Sequence, residues 1–191
     1  LCEAISKEMK NFDYDYEHII IDNNSDDSTI HKLRKIAQND NKVKVILNSR
    51  NFGAVRSSQY ALLQSSGDAA ILLSSDFQEP VELISKYIKE WENGHKIVLG
   101  QRTSSDTNKF LDLIKTFFYK FINKISETPL IERSGSTGLI SKDILENLRE
   151  ISDPYPYFRG LLSEISSDIK LIPYHQNERK SGITKNNFFT L

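Results

Sequence analysis

The most informative stretch of this chain is Ile71-Leu72-Leu73-Ser74-Ser75-Asp76-Phe77-Gln78-Glu79-Pro80-Val81-Glu82. It begins as an apolar run, breaks into oxygen-bearing side chains at alternate positions, and closes with a proline. Successive side chains of an extended chain point to opposite faces, so Ser74, Asp76 and Gln78 would share one side. Such a set can converge on a cation or a phosphate at the end of a strand. The alternative is an ordinary strand that leaves the core through a polar turn.

The sequence around this stretch alternates between strand and helix patterns. In chain order it predicts a strand at 18–22, a helix at 30–37, a strand at 43–47, a helix at 55–63, a strand at 69–73, a helix at 81–91 and a strand at 96–99. This alternation is typical of an α/β fold with a Rossmann-like, mostly parallel sheet and flanking helices. Ligands of such sheets bind beyond the carboxyl ends of the strands. Because Asp22 and Asp76 both lie at strand ends, a binding site is favoured over an accidental polar turn.

The second half of the chain begins with a wide aromatic stripe at helical spacing, between residues 103 and 127. Its members are Phe110, Leu113, Ile114, Phe117, Phe118, Phe121, Ile122 and Ile125. Such a stripe is either core or a surface that faces lipid, and the sequence leaves both open. Beyond it we predict a loop of small residues at 134–138, helices at 142–149 and 158–165, and a last strand at 170–174.

Composition limits the classes of protein that this chain can belong to. With 191 residues, of which 38% are hydrophobic and 27% charged, it can build one globular domain over residues 1–191. A formal net charge of -1 provides no basic field for a nucleic-acid partner. Cys2 is the only cysteine, which excludes a disulfide framework and a cysteine-based zinc site.

The two ends of the chain predict a fragment. The chain begins at Leu1 rather than at a methionine, and residues 186–191 end it without a capping signal. It contains no run of about 18 apolar residues and no signal-peptide pattern. We therefore expect a first strand or a membrane anchor outside the chain.

Six short motifs follow one another along the chain. They are the strand and polar turn at 19–29, Asn51-Phe52-Gly53, the stretch at 74–82, Gly100-Gln101-Arg102, Phe158-Arg159-Gly160, and the segment at 179–185. In this order they resemble the signatures of the family 2 glycosyltransferases of GT-A fold, in the branch that transfers sugars to polyprenyl or dolichyl phosphate. The matching family patterns include Asp-Asp-Gly-Ser-x-Asp-x-Thr, Asn-x-Gly, Asp-Ala-Asp-Leu-Gln-Asp-Pro-Pro-Glu, Gly-x-Arg and Arg-x-x-Gly-x-Ser-Lys.

The chain also departs from the family pattern. The family's opening strand, with its Pro-x-Tyr-Asn-Glu turn, is absent, which agrees with a fragment. Asn23 and Asn24 replace the second Asp and the Gly of the nucleotide loop, and Ser74 replaces the first Asp of the metal motif. Ser136 stands where the family usually has the Asp of an Asp-Phe-Arg-Leu segment. Three carboxylates are therefore neutral here, and we expect weaker metal affinity than in relatives with two acids.

The resemblance implies that residues 1–100 bind the donor, a sugar carried on a nucleotide diphosphate. Asp76 would be catalytic and, with Gln78 and Ser74, would hold Mg²⁺ or Mn²⁺ to neutralise charge on the leaving diphosphate. The substrate-binding residues on this side would be Asp22, Asn23, Asn51, Gly53 and Ser75. The form Phe77-Gln78-Glu79-Pro80 resembles the family members that use UDP-sugars more than those that use GDP-mannose, so the resemblance favours a UDP-sugar.

The resemblance further implies that residues 101–191 bind the acceptor, a lipid phosphate. A phosphate oxygen is already an anion at neutral pH, so no general base is needed, and direct displacement would invert the sugar's anomeric centre. Cations and backbone donors must instead bring two anions together. Arg179 would be catalytic, and Arg102, Gly182, Thr184 and Lys185 would bind substrate.

The expected partners follow from these roles. They are a nucleotide-sugar donor, a lipid-phosphate acceptor and the inner face of the cell membrane, reached from the cytoplasm through segments absent from this chain. A homo-oligomer is left open. One alternative is a transferase that acts on a sugar hydroxyl and uses a base such as Asp153 or Glu164. Another is a degenerate nucleotide-sugar-binding domain that has lost its acids.

Overall fold

The computed structural model of the chain describes residues 1–103, 134–151, 153 and 158–177. Within these ranges the elements are α1 (Cys2–Met9), β1 (His18–Asp22), α2 (Thr29–Asn39), β2 (Val43–Leu47), α3 (Ala54–Leu63), β3 (Ala69–Leu72), α4 (Leu83–Glu92), β4 (Ile97–Arg102), β5 (Ser134–Ser141), α5 (Lys142–Glu150), α6 (Phe158–Ile165) and β6 (Ile169–Tyr174). The predicted strands and helices are therefore confirmed to within a few residues. Helix α1 was not predicted, and the prediction of a loop at 134–138 was wrong.

The strands form two sheets. β1 and β2 pair in parallel, with Ile20 opposite Val45. The other sheet has the order β3-β5-β4-β6, in which β5 runs antiparallel to both of its neighbours and β4 runs parallel to β6. The α/β class with flanking helices is confirmed, and the antiparallel β5 makes this sheet mixed.

Small residues place β5 in the centre of the sheet. A Cβ atom added at Gly138 would lie 2.5 Å from the carbonyl oxygen of Val98, so only glycine allows the two strands to approach. Thr137 is 1% exposed, and its hydroxyl donates to the carbonyl of Leu72 at 2.8 Å. The residues that suggested a loop thus mark close backbone packing.

Apolar side chains cover both faces of the four-stranded sheet. On one face, Val98 of β4 packs with Leu83, Ile84 and Tyr87 of α4. On the opposite face, the alternate β4 residues Ile97 and Leu99 pack against α5 and α6, through Ile144, Leu145, Leu148 and Leu162. The period of two along β4 therefore places Gly100 and Arg102 on the α4 face.

A largely apolar cavity of about 550 Å³ separates the two sheets. It is lined by residues 19–21 of β1 and 69–73 around β3, together with Ile84, Ile88 and Leu139. Within the described ranges, β1 pairs only with β2 and β3 only with β5, so the sheet is interrupted here. The expectation of a first strand outside this chain stays a prediction.

None of the helices that the structure describes is long and apolar enough to cross a membrane. The aromatic stripe from Phe110 to Ile125 lies outside the described residues. Its two interpretations, core and lipid-facing surface, therefore both stay open.

Candidate functional site

The turn after β1 is organised by a buried carboxylate. Asp22 is 5% exposed, and its two oxygens accept hydrogen bonds from the backbone N and the hydroxyl of Ser25, at 2.9 and 2.6 Å. Asn24 has a φ of 64°, a left-handed conformation that asparagine tolerates better than most residues. Asp22 thus fixes the turn, and its predicted contact with a nucleotide stays a prediction.

Asn23 ties this turn to the loop between β2 and α3. Its Oδ1 accepts from Asn48 Nδ2 at 3.1 Å, from Phe52 N at 2.9 Å and from Ser57 Oγ at 2.9 Å. Its Nδ2 donates to Asn51 Oδ1 at 2.8 Å. We call Asn23, Asn48, Asn51 and Ser57 the amide cluster. Asn48 and Ser57 were not predicted, although the position of Asn48 directly after β2 was a usable signal.

Gly53 shapes the start of α3. Its φ of 85° and ψ of 159° lie in a region that is essentially restricted to glycine, and its N donates to Asn51 Oδ1 at 2.9 Å. A Cβ there would meet no atom within 4 Å, so backbone conformation rather than space requires the glycine. The structure therefore brings Asn23, Asn51 and Gly53 together, and their substrate-binding role stays a prediction.

The loop after β3 does not continue as a strand. β3 ends at Leu72, Phe77 has a left-handed φ of 60°, and the backbone N of Gln78 donates to Asp76 Oδ1 at 3.1 Å. The premise that Ser74, Asp76 and Gln78 share one side of an extended chain was wrong, because the chain turns here. We call residues 74–79 the β3 exit loop; their joint use as metal ligands stays a prediction.

Two members of the β3 exit loop have contrasting surroundings. Ser75 is exposed and lines the cavity between the sheets. Glu79 is 7% exposed, and its Oε2 has no hydrogen-bond partner among the described residues. No role was predicted for Glu79 from the sequence.

Two buried tyrosines lie beside Gly100 on the α4 face. A Cβ at Gly100 would lie 2.5 Å from Tyr87 Oη and 2.9 Å from Tyr174 Cε1. Burial raises the pKa of Tyr174 to about 12; the charge of Glu79 adds to this shift and the charge of Arg102 opposes it. Burial also raises the pKa of Tyr87, against a hydrogen bond with Thr137. Both hydroxyls therefore stay protonated at neutral pH.

Arg102 ends β4 on this same face and is exposed. Its Nη1 donates to Gln176 Oε1 at 3.0 Å, and Tyr174 is its partner in the register of β4 and β6. The remaining predicted residues of the acceptor side, Arg179, Gly182, Thr184 and Lys185, lie outside the described residues. Of the two alternative bases, Asp153 is exposed, and Glu164 is exposed on α6, which packs on the opposite face of the sheet.

A second depression, of about 620 Å³, lies at the start of β4. Its lining includes Asp68, His95, Lys96 and Asp143. Arg102 is at the other end of β4, and none of the predicted site residues lines this depression. It is therefore separate from the candidate site.

The donor atoms of the β3 exit loop suit a hard divalent cation. Asp76 offers a carboxylate, Gln78 an amide oxygen and Ser74 a hydroxyl, and all three side chains are half-buried rather than enclosed. In the part of the chain that the structure describes, no three His, Cys, Asp or Glu side chains form a metal-binding group. A cation at this loop would take its remaining oxygen ligands from water or from a bound phosphate.

Solved structures show the same fold. A mannosyltransferase from Pyrobaculum calidifontis, PcManGT, solved in complex with GDP-Man and Mn²⁺, aligns with a TM-score of 0.55 at 15% identity, over 92% of this chain and 52% of that one. Residues 1–349 of TarS from S. aureus align with a TM-score of 0.53 at 14% identity, over 89% and 54%. The chain thus has the GT-A fold of glycosyltransferases.

The sequence defines the family. The profile of "Glycosyl transferase family 2" matches residues 1–149, and the chain belongs to this family. "Putative glycosyltransferase CsbB" of Bacillus subtilis (strain 168) is 33% identical over 99% of this chain and 57% of its own length. "Bactoprenol glucosyl transferase" of Shigella phage SfX is 32% identical over 93% and 59%. The chain thus spans less than two thirds of these curated relatives, and the predicted family is confirmed.

Proposed function

We propose that the protein transfers a sugar from a nucleotide diphosphate, with a UDP-sugar favoured, to a polyprenyl phosphate. One observation carries the proposal: at the carboxyl end of β4, Arg102 lies beside a segment that also contacts the β3 exit loop with its Asp76. A cation next to an oxygen-rich loop suits a reaction between two phosphate-bearing substrates. The names of the bactoprenol glucosyl transferases that the chain resembles support this acceptor class.

On the donor side, the amide cluster and Gly53 would bind the nucleotide, with Asp22 holding the turn beneath it. Asp76, Gln78 and Ser74 would hold Mg²⁺ or Mn²⁺, and Ser75 would contact the donor from the exposed side of the loop. The cation, when bound, would offset negative charge on the departing diphosphate. The Mn²⁺ in the solved mannosyltransferase supports a divalent cation of this kind.

On the acceptor side, the nucleophile is a phosphate oxygen. Because that oxygen is already ionised, no residue has to remove a proton from it, and direct displacement inverts the anomeric centre. Arg102 would contact the donor diphosphate and so reduce its repulsion with the acceptor phosphate. We expect Arg179 and Lys185 to add charge, with Gly182 and Thr184 providing close backbone and hydroxyl contacts.

The acceptor class implies a place of action. A polyprenyl phosphate resides in a membrane, so we propose that the protein acts at the inner face of the cell membrane, attached by segments outside this chain. Residues 1–100 would form the donor part and 101–191 the acceptor part of one catalytic domain.

A labelled-sugar assay tests the proposal. The protein is incubated with Mn²⁺, labelled UDP-glucose and, in parallel, polyprenyl phosphate, polyprenol or an oligosaccharide in detergent micelles. We expect label in the lipid phase only with polyprenyl phosphate. Labelling of the oligosaccharide would instead favour a transferase acting on a hydroxyl. UDP binding without transfer to any acceptor would favour a degenerate binding domain, for which Ser74 in place of an acid is the motivation.

A further inference from the structure

The segment that follows β6 contacts both sides of the proposed site. We call residues 174–177 the β6 exit segment. The backbone N of Asn177 donates to the carbonyl of Gln78 at 3.0 Å, and its side chain donates to the carbonyl of Phe77 at 3.4 Å. One residue earlier, Gln176 Oε1 accepts from Arg102 Nη1 at 3.0 Å. A single short segment therefore joins the β3 exit loop to Arg102.

The backbone around Arg102 is fixed to the same segment. Arg102 lies opposite Tyr174 in the parallel register of β4 and β6. The N and Oγ1 of Thr103 both donate to the carbonyl of Tyr174, at 3.0 and 3.1 Å. These bonds set where the Arg102 side chain begins, but an arginine has several rotatable bonds. The guanidinium donates to Gln176 Oε1, and it also lies close enough to the Tyr174 hydroxyl to lower the pKa of that group; these two contacts set where the side chain ends.

The anchor of this segment, Tyr174, is buried. Tyr174 is 5% exposed, its ring lies against Gly100, and Glu79 of the β3 exit loop is 7% exposed. Burial and the charge of Glu79 raise the pKa of Tyr174, whereas Arg102 opposes the shift. Tyr174 is thus under the electrostatic influence of the loop and of Arg102 together, which agrees with a compact arrangement of the three.

We propose that Gln176 is a positioning residue that holds the Arg102 guanidinium at a fixed place relative to the β3 exit loop, so that both contact the same diphosphate. The inference rests on the proposed function, because it takes the diphosphate to bind at this loop. Gln176 itself would touch no substrate. Asn177 supplies the other end of the link, through its hydrogen bonds to Phe77 and Gln78.

The test is a double-mutant cycle read as UDP affinity, measured by calorimetry at saturating Mn²⁺. We expect Gln176→Leu, which removes the acceptor but keeps side-chain volume, to weaken UDP binding about fivefold, a size typical of losing an oriented charged hydrogen bond. Gln176→Glu keeps an acceptor and should stay within about twofold of wild type. In an Arg102→Ala background, Gln176→Leu should weaken UDP binding further by less than about twofold, because the guanidinium that Gln176 positions is gone.

Gln38→Leu, on the exposed part of α2, is the matched control for the loss of a glutamine and should leave UDP affinity unchanged. Equal losses from Gln176→Leu in both backgrounds would overturn the inference, as would a Gln176→Glu variant as weak as Gln176→Leu. UDP binding needs no acceptor, so this test of Gln176 is independent of the test of the proposed function. If the variants show the expected UDP affinities but the protein transfers no sugar to polyprenyl phosphate, only the proposed function is contradicted. If the protein transfers the sugar but Gln176→Leu binds UDP as tightly as wild type, only the role of Gln176 is contradicted.

Discussion

The amide cluster and the β3 exit loop have both lost an acid that the family pattern contains, but with different consequences. In the amide cluster, Asn23 bonds to Asn48, Asn51, Phe52 and Ser57, and it uses both its oxygen and its nitrogen to do so. An ionised carboxylate could only accept. In the β3 exit loop, Ser74 replaces a charge with a hydroxyl, which leaves Asp76 as the sole carboxylate among the three predicted metal ligands Ser74, Asp76 and Gln78.

The contrast between the two regions shows at which kind of position a neutral residue can replace an acid. A residue that shapes a loop needs complementary donors and acceptors, which an amide provides within the protein. A residue that holds a divalent cation contributes charge as well as an oxygen atom, and a hydroxyl supplies only the oxygen. We therefore expect the donor loop to be structurally complete and the β3 exit loop to depend strongly on Asp76.

The largest expected effect is at Asp76. Asp76→Ala should lower the transfer rate by about three orders of magnitude, because it removes the carboxylate that would hold the cation at the leaving diphosphate. The measurement is the initial rate of sugar transfer at saturating donor and Mn²⁺. Asp26→Ala, in the exposed turn after β1, is a control and should keep the wild-type rate. An undiminished rate in Asp76→Ala would remove the β3 exit loop from the mechanism.

The next effect is on stability, at Asn23. Asn23→Ala should lower the free energy of unfolding by about 2 kcal/mol, because it leaves the donors of Asn48, Phe52 and Ser57 without their shared acceptor. Urea unfolding measures this change, with the exposed Asn39→Ala as the control. A loss as small as that of the control would show that water replaces Asn23 without cost, and that the amide cluster is not what holds the donor loop.

A smaller effect should come from restoring the missing charge. Ser74→Asp should raise the apparent affinity for Mn²⁺ about tenfold, because a second carboxylate adds to the attraction of Asp76. The measurement is the Mn²⁺ dependence of UDP binding by calorimetry, with Ser167→Asp, at an exposed position between α6 and β6, as a control for added charge alone. Equal gains in the two variants would mean that the protein attracts cations only through its net charge.

Much of the fold could be predicted from local patterns. The apolar periods of α4, β4 and β6 follow from the residues that each element buries, such as Val98 on one face of β4 and Leu99 on the other. Strand β5 was missed because Thr137 and Gly138 look like loop residues, whereas close contact with Val98 is what requires the glycine. Pairing partners far apart in sequence decide such a position, and a local pattern does not contain them.

In the candidate site, too, local motifs could be recognised in the sequence and tertiary contacts could not. Asn23, Asn51 and Gly53 were predicted from motifs, and hydrogen bonds bring them together. Glu79, Tyr174 and Gln176 were missed because their surroundings are created by tertiary contacts between the β3 exit loop, β4 and β6. The extended arrangement of Ser74, Asp76 and Gln78 was wrong because Phe77 adopts a left-handed conformation that alternation of polar and apolar residues does not reveal.

The most direct test of the central claim, that Asp76 holds a divalent cation at a bound diphosphate, is the binding of Mn²⁺ to the UDP complex. Free Mn²⁺ can be measured by electron paramagnetic resonance in wild type and in Asp76→Asn, which keeps the shape of the side chain but removes its charge. We expect one Mn²⁺ per chain in wild type and an affinity at least about thirtyfold lower in Asp76→Asn. Equal Mn²⁺ binding by the two proteins would contradict the claim.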